Sequence, residues 1–455
     1  MEKRLDDMGS GHPILGGESR RMFLRRLAGA GSAALAAGGA SAALAAGCAG
    51  PGAQQSPGVR AGGSDLVRIA MIGCGHRGTQ DAIYCLRSAP GVELYAVADL
   101  FPDKVEASLA ELRREVPDKV NVAKDRIFLG FDAYKKVLAL DEVRIVLQLT
   151  PPGFRPEHVA EAVRAGKHLF VEKPGAVDPV GIRSLLESAE EADRKGLSIV
   201  VGTQQRYAPQ YLEVIQRIRD GEIGEIRVLK AHWICDMVNW HFEPRQPHWS
   251  DMEWQIRCWP FFTWLSGDHL VEQLCHNLDV CNWLLEAIPE RCTGLGGRQC
   301  RTGPEYGNIY DHFAVEYRYA NGLTMLAMAA QMFGVTQRVE NAIEGTKGGA
   351  RVTRAGAEIW GEKPWRYKGS PPTGDLAMHA ALIGSVREGK PLNELRRLAT
   401  TTLTAIAGRM ATYTGREVKV EWALKESKLD LRPKEYAFGP LPVEPVAMPG
   451  KTELV

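Results

Sequence analysis

The stretch LVRIAMIGCGHRGTQDAIYCLRS, Leu66 to Ser88, constrains the fold more than any other part of the chain. Val67 to Ile72 is a short apolar, partly β-branched run, as a buried parallel strand requires. Gly73, Gly75 and Gly78 follow as G-x-G-x-x-G and lead into a helical pattern. The first glycine permits a tight turn, the second lets backbone approach a pyrophosphate, and the third lets helix pack on strand. The helix start offers free N–H groups and the positive end of its dipole to phosphate. VELYAVADL then supplies a second strand ending at Asp99, where a dinucleotide's ribose hydroxyls are held. A carboxylate there repels a 2′-phosphate, so NAD is expected in preference to NADP. The plainer reading of Asp99 is a turn residue at a strand end.

The alternation continues through strands at Val143–Pro152, Lys167–Pro174 and Leu197–Tyr207, with amphipathic helical patterns between them. This order predicts a doubly wound parallel sheet with its ligand at the carboxyl ends of the strands. Further on, DHFAVEYRYANGLTMLAMAA carries an Asn-Gly turn between alternating segments, a hairpin signal, and RVENAIEGTKGGARV adds two more strands. The second half is therefore expected to be an α+β domain with a mostly antiparallel, open-faced sheet backed by helices.

The first residues have a different character. SRRMFLRRLAGAGSAALAAGG pairs two arginines with a weakly apolar Ala/Gly/Leu stretch, the pattern of a twin-arginine export signal. That route carries folded proteins and predicts a periplasmic destination. LAAGC ends at Cys48 and is open to two readings: acylation of Cys48 as a lipoprotein anchor, or plain cleavage near Ala43 to Ala45. Ala49 to Ser64 is a Gly/Pro/Gln/Ser tether. The expected organisation is a signal over 1–48, a linker over 49–64, a dinucleotide domain over 65–203, a substrate and oligomerisation domain over 204–422, and a proline-punctuated extended arm over 423–455 lying on the body or a neighbouring subunit. Lys and Arg number 56 against 55 Asp and Glu, so no basic footprint for nucleic acid exists. The cysteines show no paired ligand spacing, and Cys74, Cys85, Cys275 and Cys281 read as small buried hydrophobes.

IGCGHRG, LTPPGFRPEH, GKHLFVEKPGA, VGTQQRYAPQY and GDHLVEQLCHNLDV, in this order, resemble the Gfo/Idh/MocA oxidoreductases, which act on sugars, cyclitols and related polyols with a nicotinamide cofactor. The resemblance runs from about Val67 to about Gly349. It implies cofactor contacts from Gly73, Gly75, His76, Arg77, Gly78, Asp99, Thr150, Pro151, His158, Glu172 and Lys173. It places Lys173 beside the nicotinamide, and the chemistry agrees. Oxidising an alcohol removes a hydride from carbon and a proton from oxygen, and a lysine at a ligand-binding strand end can take that proton. The plainer reading of Lys173 is a surface lysine before the turn-forming Pro174.

Glu272, His276 and Asp279 fall on one face of an expected helix. His276 matches the family position for the residue that hydrogen-bonds the reacting hydroxyl. Glu272 stands where the family has aspartate, a departure of one methylene that puts its role as a catalytic partner in question. Asp279, Arg206 and Tyr207 are candidates for the substrate site, with orientation of a ring nitrogen or a neighbouring backbone group as the alternative for Asp279 and a hinge role as the alternative for Arg206 and Tyr207. Six of the ten tryptophans lie in 233–264, interleaved with prolines, and are expected to roof a sugar pocket with Trp249 or Trp259 at the sugar. A zinc site from His241, His248 and Asp251 fits no ligand spacing, so no metal is expected. The resemblance also implies a homodimer or homotetramer.

Three functions remain open at this level. The first is an exported NAD-dependent oxidoreductase whose cofactor stays bound and is recycled in each turnover. The second is an NAD-dependent glycoside hydrolase working by transient oxidation and elimination, a branch that generally lacks the lysine at the position of Lys173. The third is a non-catalytic sugar-binding lipoprotein, against which the intact glycines, Lys173 and His276 argue.

Overall fold

The computed structural model describes residues 66–236, 242–370 and 374–455. The expected signal over 1–48 and the whole linker over 49–64 lie outside them, as do Trp240 and His241. Among the described residues no helix is long and apolar enough to cross a membrane.

Six parallel strands form the first sheet: β1 (Val67–Ile72), β2 (Val92–Asp99), β3 (Ile127–Leu129), β4 (Ile145–Gln148), β5 (His168–Val171) and β6 (Ile199–Val201). Their order is β3-β2-β1-β4-β5-β6, so the chain reverses direction across the sheet between β1 and β4. Helices His76–Ser88, Pro102–Glu115, Arg155–Arg164 and Pro179–Lys195 follow strands of this sheet in turn. β1 is buried at five of its six positions, as its continuous apolar run requires.

The layer is completed from far along the chain. Helix Asp375–Glu388 puts Met378, Leu382, Ile383 and Val386 into the same core as Met71, Leu86 and Phe170. Each such side chain contributes about 1.5–3 kcal/mol on burial. Just beyond it, Ile199 donates to the carbonyl of Leu392, and Glu394 donates to that of Ile199.

The second sheet has nine strands: β7 (Ile226–Cys235), β8 (Arg291–Gly297), β9 (His312–Arg318), β10 (Thr324–Gln331), β11 (Arg338–Gly345), β12 (Gly348–Thr353), β13 (Gly356–Gly361), β14 (Trp365–Arg366) and β15 (Val418–Lys419). The order is β14-β13-β12-β11-β7-β10-β9-β8-β15, with β7 and β10 its one parallel pair. The Asn321-Gly322 turn joins β9 to β10, and Gly322 takes the positive φ of 83° that this turn needs. Helix Leu395–Thr414 is buried along most of its length, between helix Pro179–Lys195 and the β8 side of this sheet. The outer face of the sheet is open, with Leu295, Leu326 and Met328 exposed.

The proline-punctuated C-terminal stretch lies on the chain's own body. Leu431 donates to Asp178, Met252 to the carbonyl of Gly439, and Tyr310 to the carbonyl of Ala447. Phe438 packs on Phe101 and Phe131, and Tyr436 on Phe154.

Candidate active site

One cavity of about 1060 Å³ runs along the carboxyl ends of the parallel strands, from Asp99 and Phe131 past the glycine loop to Lys173, His276 and Arg354. Its two ends are built differently.

The glycine loop forms the first end. Gly73 has φ of +102°, and a Cβ there would lie 2.7 Å from the backbone of Leu149. A Cβ on Gly78 would lie 2.3 Å from the Gly73 carbonyl oxygen. Gly75 is the exception, because a Cβ on it would meet nothing within 4 Å. Gly75 caps helix His76–Ser88, and no side chain caps the N–H groups there. Room beside Gly75 and uncapped amides on a 13-residue helix fit a pyrophosphate. Asp99 lines this end, its carboxylate accepting from Cys74 N at 2.6 Å and Phe101 N at 2.9 Å. Burial raises its pKa from the ordinary value, against the effect of those hydrogen bonds. His76, Thr150, Pro151 and His158 line the cavity as the motif reading expects. Burial drives His158 down to about 3, so its ring is neutral, held by Gln148 at 3.0 Å.

Arg77 and Glu172 also line the cavity, but their charges are spent on each other. Arg77 lies 3.0 Å from Glu172, Asp81 and Asp375. Glu172 accepts the Lys173 N–H at 2.8 Å with its other oxygen. Burial alone would raise Glu172, but Arg77, Lys173 and Arg155 outweigh it and hold the carboxylate below its ordinary value. Glu172 thus ties the glycine-loop helix to the backbone that carries Lys173.

The second end gathers remote segments. Lys173 Nζ donates to Glu272 Oε1 at 2.7 Å and to the Glu272 carbonyl oxygen at 2.7 Å. The extra methylene of Glu272 is therefore used to reach the lysine. Leu270–Leu274 is a π-helical turn, whereas the α-helix proper runs Cys275–Leu285. The wider turn breaks the even spacing assumed from the sequence. Glu272 and His276 both line the cavity, and Asp279 does not.

His276 is buried and stacks on Trp233, ring centres 5.7 Å apart. Its Nδ1 has no hydrogen-bond partner among the described residues. Burial, then the charges of Lys173, Arg354 and Arg77, push its pKa well below the ordinary value, so the imidazole is neutral.

Four of the residues expected at the substrate lie outside the cavity lining. Asp279 accepts from Arg206 at 2.7 and 2.9 Å and from Thr401 at 2.8 Å, and it lies 3.7 Å from Arg397. Tyr207 donates to Glu394 at 2.8 Å. Half-buried Arg206 and Tyr207 and buried Asp279 thus form a brace joining the strand-end segment to helix Leu395–Thr414, and none of them lines the cavity. Trp249 lies outside the cavity too, packed near Arg257 at 4.9 Å. Trp259 does line it, and so does Trp233, while Trp254 and Trp264 join an aromatic core with Phe154 and Phe262. Among the described residues no three metal-binding side chains cluster.

Sequence reasoning missed Arg155 and Arg354. Arg155 is buried, lines the cavity and donates to the Pro174 carbonyl at 2.5 Å, so it fixes the backbone next to Lys173. It stood inside the quoted LTPPGFRPEH, but its partner is in another motif.

Residues 67–202 match the family model described as "Oxidoreductase family, NAD-binding Rossmann fold", and residues 211–351 match the "GFO/IDH/MocA C-terminal domain". The chain belongs to the Gfo/Idh/MocA oxidoreductase family. It is 26% identical over 331 residues to a glycosyl hydrolase family 109 protein of Streptomyces coelicolor, covering 71% of this chain and 66% of that one. It is 25% identical over 232 residues to 2,7-anhydro-N-acetylneuraminate hydratase of Escherichia coli, covering 51% and 57%. The matches span less than two thirds of these relatives' lengths. Its fold is similar to that of an aldose-aldose oxidoreductase from Caulobacter crescentus solved with glycerol, with a TM-score of 0.61, 18% identity and coverage of 78% and 99%. Its glycine loop has the space and the free amides that the NAD-binding Rossmann fold of the family model implies.

Proposed function

We propose that this protein is an exported oxidoreductase that uses NAD to oxidise one hydroxyl of a sugar, cyclitol or glycoside. The observation that carries the reading is the contact of Lys173 with Glu272, beside a neutral His276, at the far end of a cavity that begins at the glycine loop. A bound nicotinamide would supply the hydride acceptor. Gly73, Gly75, Gly78 and Asp99 would hold the dinucleotide's phosphates and ribose, with the Asp99 carboxylate disfavouring a 2′-phosphate.

The chain's own residues divide the proton work. Lys173 is placed to take the hydroxyl proton, and Glu272 at 2.7 Å orients its amine. His276, held neutral, hydrogen-bonds the reacting oxygen and shares the proton. Arg155 and Glu172 keep Lys173 in place through the Pro174 carbonyl and the Lys173 N–H. Trp259 offers a flat face to the C–H side of a ring.

The export pattern at Arg20 and Arg21 gives this chemistry a setting. A protein folded before export can leave with its dinucleotide loaded, and outside the cytoplasm no free pool replaces it. Each turnover then returns the cofactor to its starting state, through a second carbonyl acceptor or the same substrate. The apolar outer face around Leu326 and Met328 suits a dimer or tetramer, and Cys48 suits a lipid anchor.

The similarity to family 109 glycosyl hydrolases favours a second reading, in which oxidation is transient and a glycosidic bond is cleaved. One experiment separates the two. Free sugars and aryl glycosides are assayed with and without added NAD, following cofactor absorbance and aglycone release together. NADH formation or sugar reduction without aglycone release supports the oxidoreductase. Aglycone release with no net NADH supports the hydrolase. Neither signal across the panel defeats both.

A further inference from the structure

Most cations around the cavity are matched by carboxylates, and Arg155, which has no ion pair, is buried and turned to the Pro174 carbonyl. Lys173 is matched by Glu272, Arg77 by three carboxylates, Lys104 by Glu243, and Arg257 by Asp103 and Glu253. Arg354 lines the same cavity and makes no ion pair among the described residues. The segments of the body outside the description, 237–241 and 371–373, contain no Asp or Glu to supply one.

Arg354 is solvent-exposed at the cavity's rim, and its backbone is fixed. It sits in the turn between β12 and β13, where its carbonyl accepts from Gln210 at 3.1 Å. Its guanidinium carbon lies 5.4 Å from the centre of the Trp233 ring. Trp233 in turn stacks on His276. The guanidinium is therefore one aromatic ring removed from His276. The cofactor's phosphates belong to the glycine loop and leave Arg354 unused.

A planar guanidinium presents a fork of donors that matches a carboxylate or phosphate in two parallel hydrogen bonds. Hydroxyls of a neutral sugar do not balance its charge. We propose that Arg354 is a specificity residue that binds an anionic group on the substrate, so the natural substrate is an acidic sugar. The anion is a carboxylate or a phosphate ester on the part of the ring remote from the oxidised carbon. This rests on the reading of the cavity as a sugar oxidoreductase site.

The test uses the full chain loaded with NAD. Glucuronate, glucose 6-phosphate and glucose are titrated, with tryptophan fluorescence reporting binding and NADH absorbance reporting oxidation. The wild type is expected to bind at least one of the anionic sugars about 10- to 100-fold more tightly than glucose. Arg354→Ala should remove that preference and leave NAD affinity unchanged, and Arg354→Lys should keep part of it. A glucuronate preference identifies a carboxylate, and a glucose 6-phosphate preference identifies a phosphate. The proposal is overturned if glucose binds as tightly as both anions, if neither anion binds, or if Arg354→Ala keeps the preference. Preferential binding without NADH formation supports the Arg354 assignment and counts against the oxidoreductase reading. Oxidation of glucose with no anion preference does the reverse.

Discussion

The two ends of the cavity are made by opposite means. The glycine-loop end comes from one short run of chain, Gly73 to Gly78, joined by Asp99 at the end of the neighbouring strand. It presents backbone amides and a single carboxylate to the cavity, and its shape is set by the close packing of Gly73 and Gly78. The Lys173 end draws on residues 155, 173, 233, 272, 276 and 354, and its work is done by side-chain charge. A site of backbone and space tolerates little change in residue size but depends on few tertiary contacts. A site of side chains depends on every element that carries them. Substitutions at the two ends should therefore fail in different ways.

The largest expected effect is at the side-chain end. Lys173→Ala should cut turnover by about 10²–10⁴ and leave NAD binding intact, as for a positioned acid-base group. Steady-state kinetics with a separate NAD titration would check this, and near wild-type turnover would remove Lys173 from the chemistry.

Asp279→Asn should act on stability instead. The change leaves half-buried Arg206 without its carboxylate, at a cost of about 1–3 kcal/mol. Denaturant unfolding should show this loss, while KM of the folded variant stays near wild type. A raised KM with unchanged stability would restore Asp279 to the substrate site.

The glycines sharpen the contrast within the other end. Gly78→Ala forces a Cβ to within 2.3 Å of the Gly73 carbonyl and should cost about 1–3 kcal/mol of stability as well as NAD affinity. Gly75→Ala meets no protein atom, so it should weaken NAD binding with an unchanged melting temperature. Equal stability losses in the two variants would contradict the cradle geometry.

Acid should affect both ends through histidine. Burial pushes His158 and His379 down to about 3 and His276 well below its ordinary 6.5. Below pH 6.5 the unfolded chain takes up protons that these folded rings refuse, so stability falls as pH falls. Each such ring contributes a slope of about 1.4 kcal/mol per pH unit between its unfolded and folded values. Asp268, raised to about 6 by burial, opposes this between its two values. Unfolding midpoints measured from pH 7 downward should fall, and His379→Phe should flatten the fall. A profile independent of pH would mean that these rings are solvated.

The smallest effect is expected at Asp99. Asp99→Ser should narrow the preference for NAD over NADP by about tenfold, the equivalent of about 1.4 kcal/mol. Wild-type protein that binds NADP as well as NAD would show that the carboxylate, already engaged by Cys74 and Phe101, does not select.

The sequence by itself determined whatever depends on neighbours along the chain. The apolar run of β1, the glycine turn, the strand ending at Asp99 and the Asn321-Gly322 hairpin follow from local backbone requirements and side-chain periodicity. Lys173 was legible for the same reason, since it ends a buried strand at the ligand-binding edge. Tertiary structure alone decided what each charge faces. Arg206, Tyr207 and Asp279 carried the residue types of a sugar site, yet folding brings them against Arg397, Thr401 and Glu394, more than a hundred residues further on. Helix Asp375–Glu388 completes the first sheet's core although it follows every strand of that sheet by a long interval. Arg155 finds the Pro174 carbonyl, Glu272 reaches Lys173 across a π-turn, and Arg354 reaches the cavity from a hairpin tip. Periodicity states which face of an element is buried. It does not state which distant carboxylate or carbonyl will be buried against it, because the strength of a charge pair is set by a distance and a degree of burial that exist only once the chain has closed on itself.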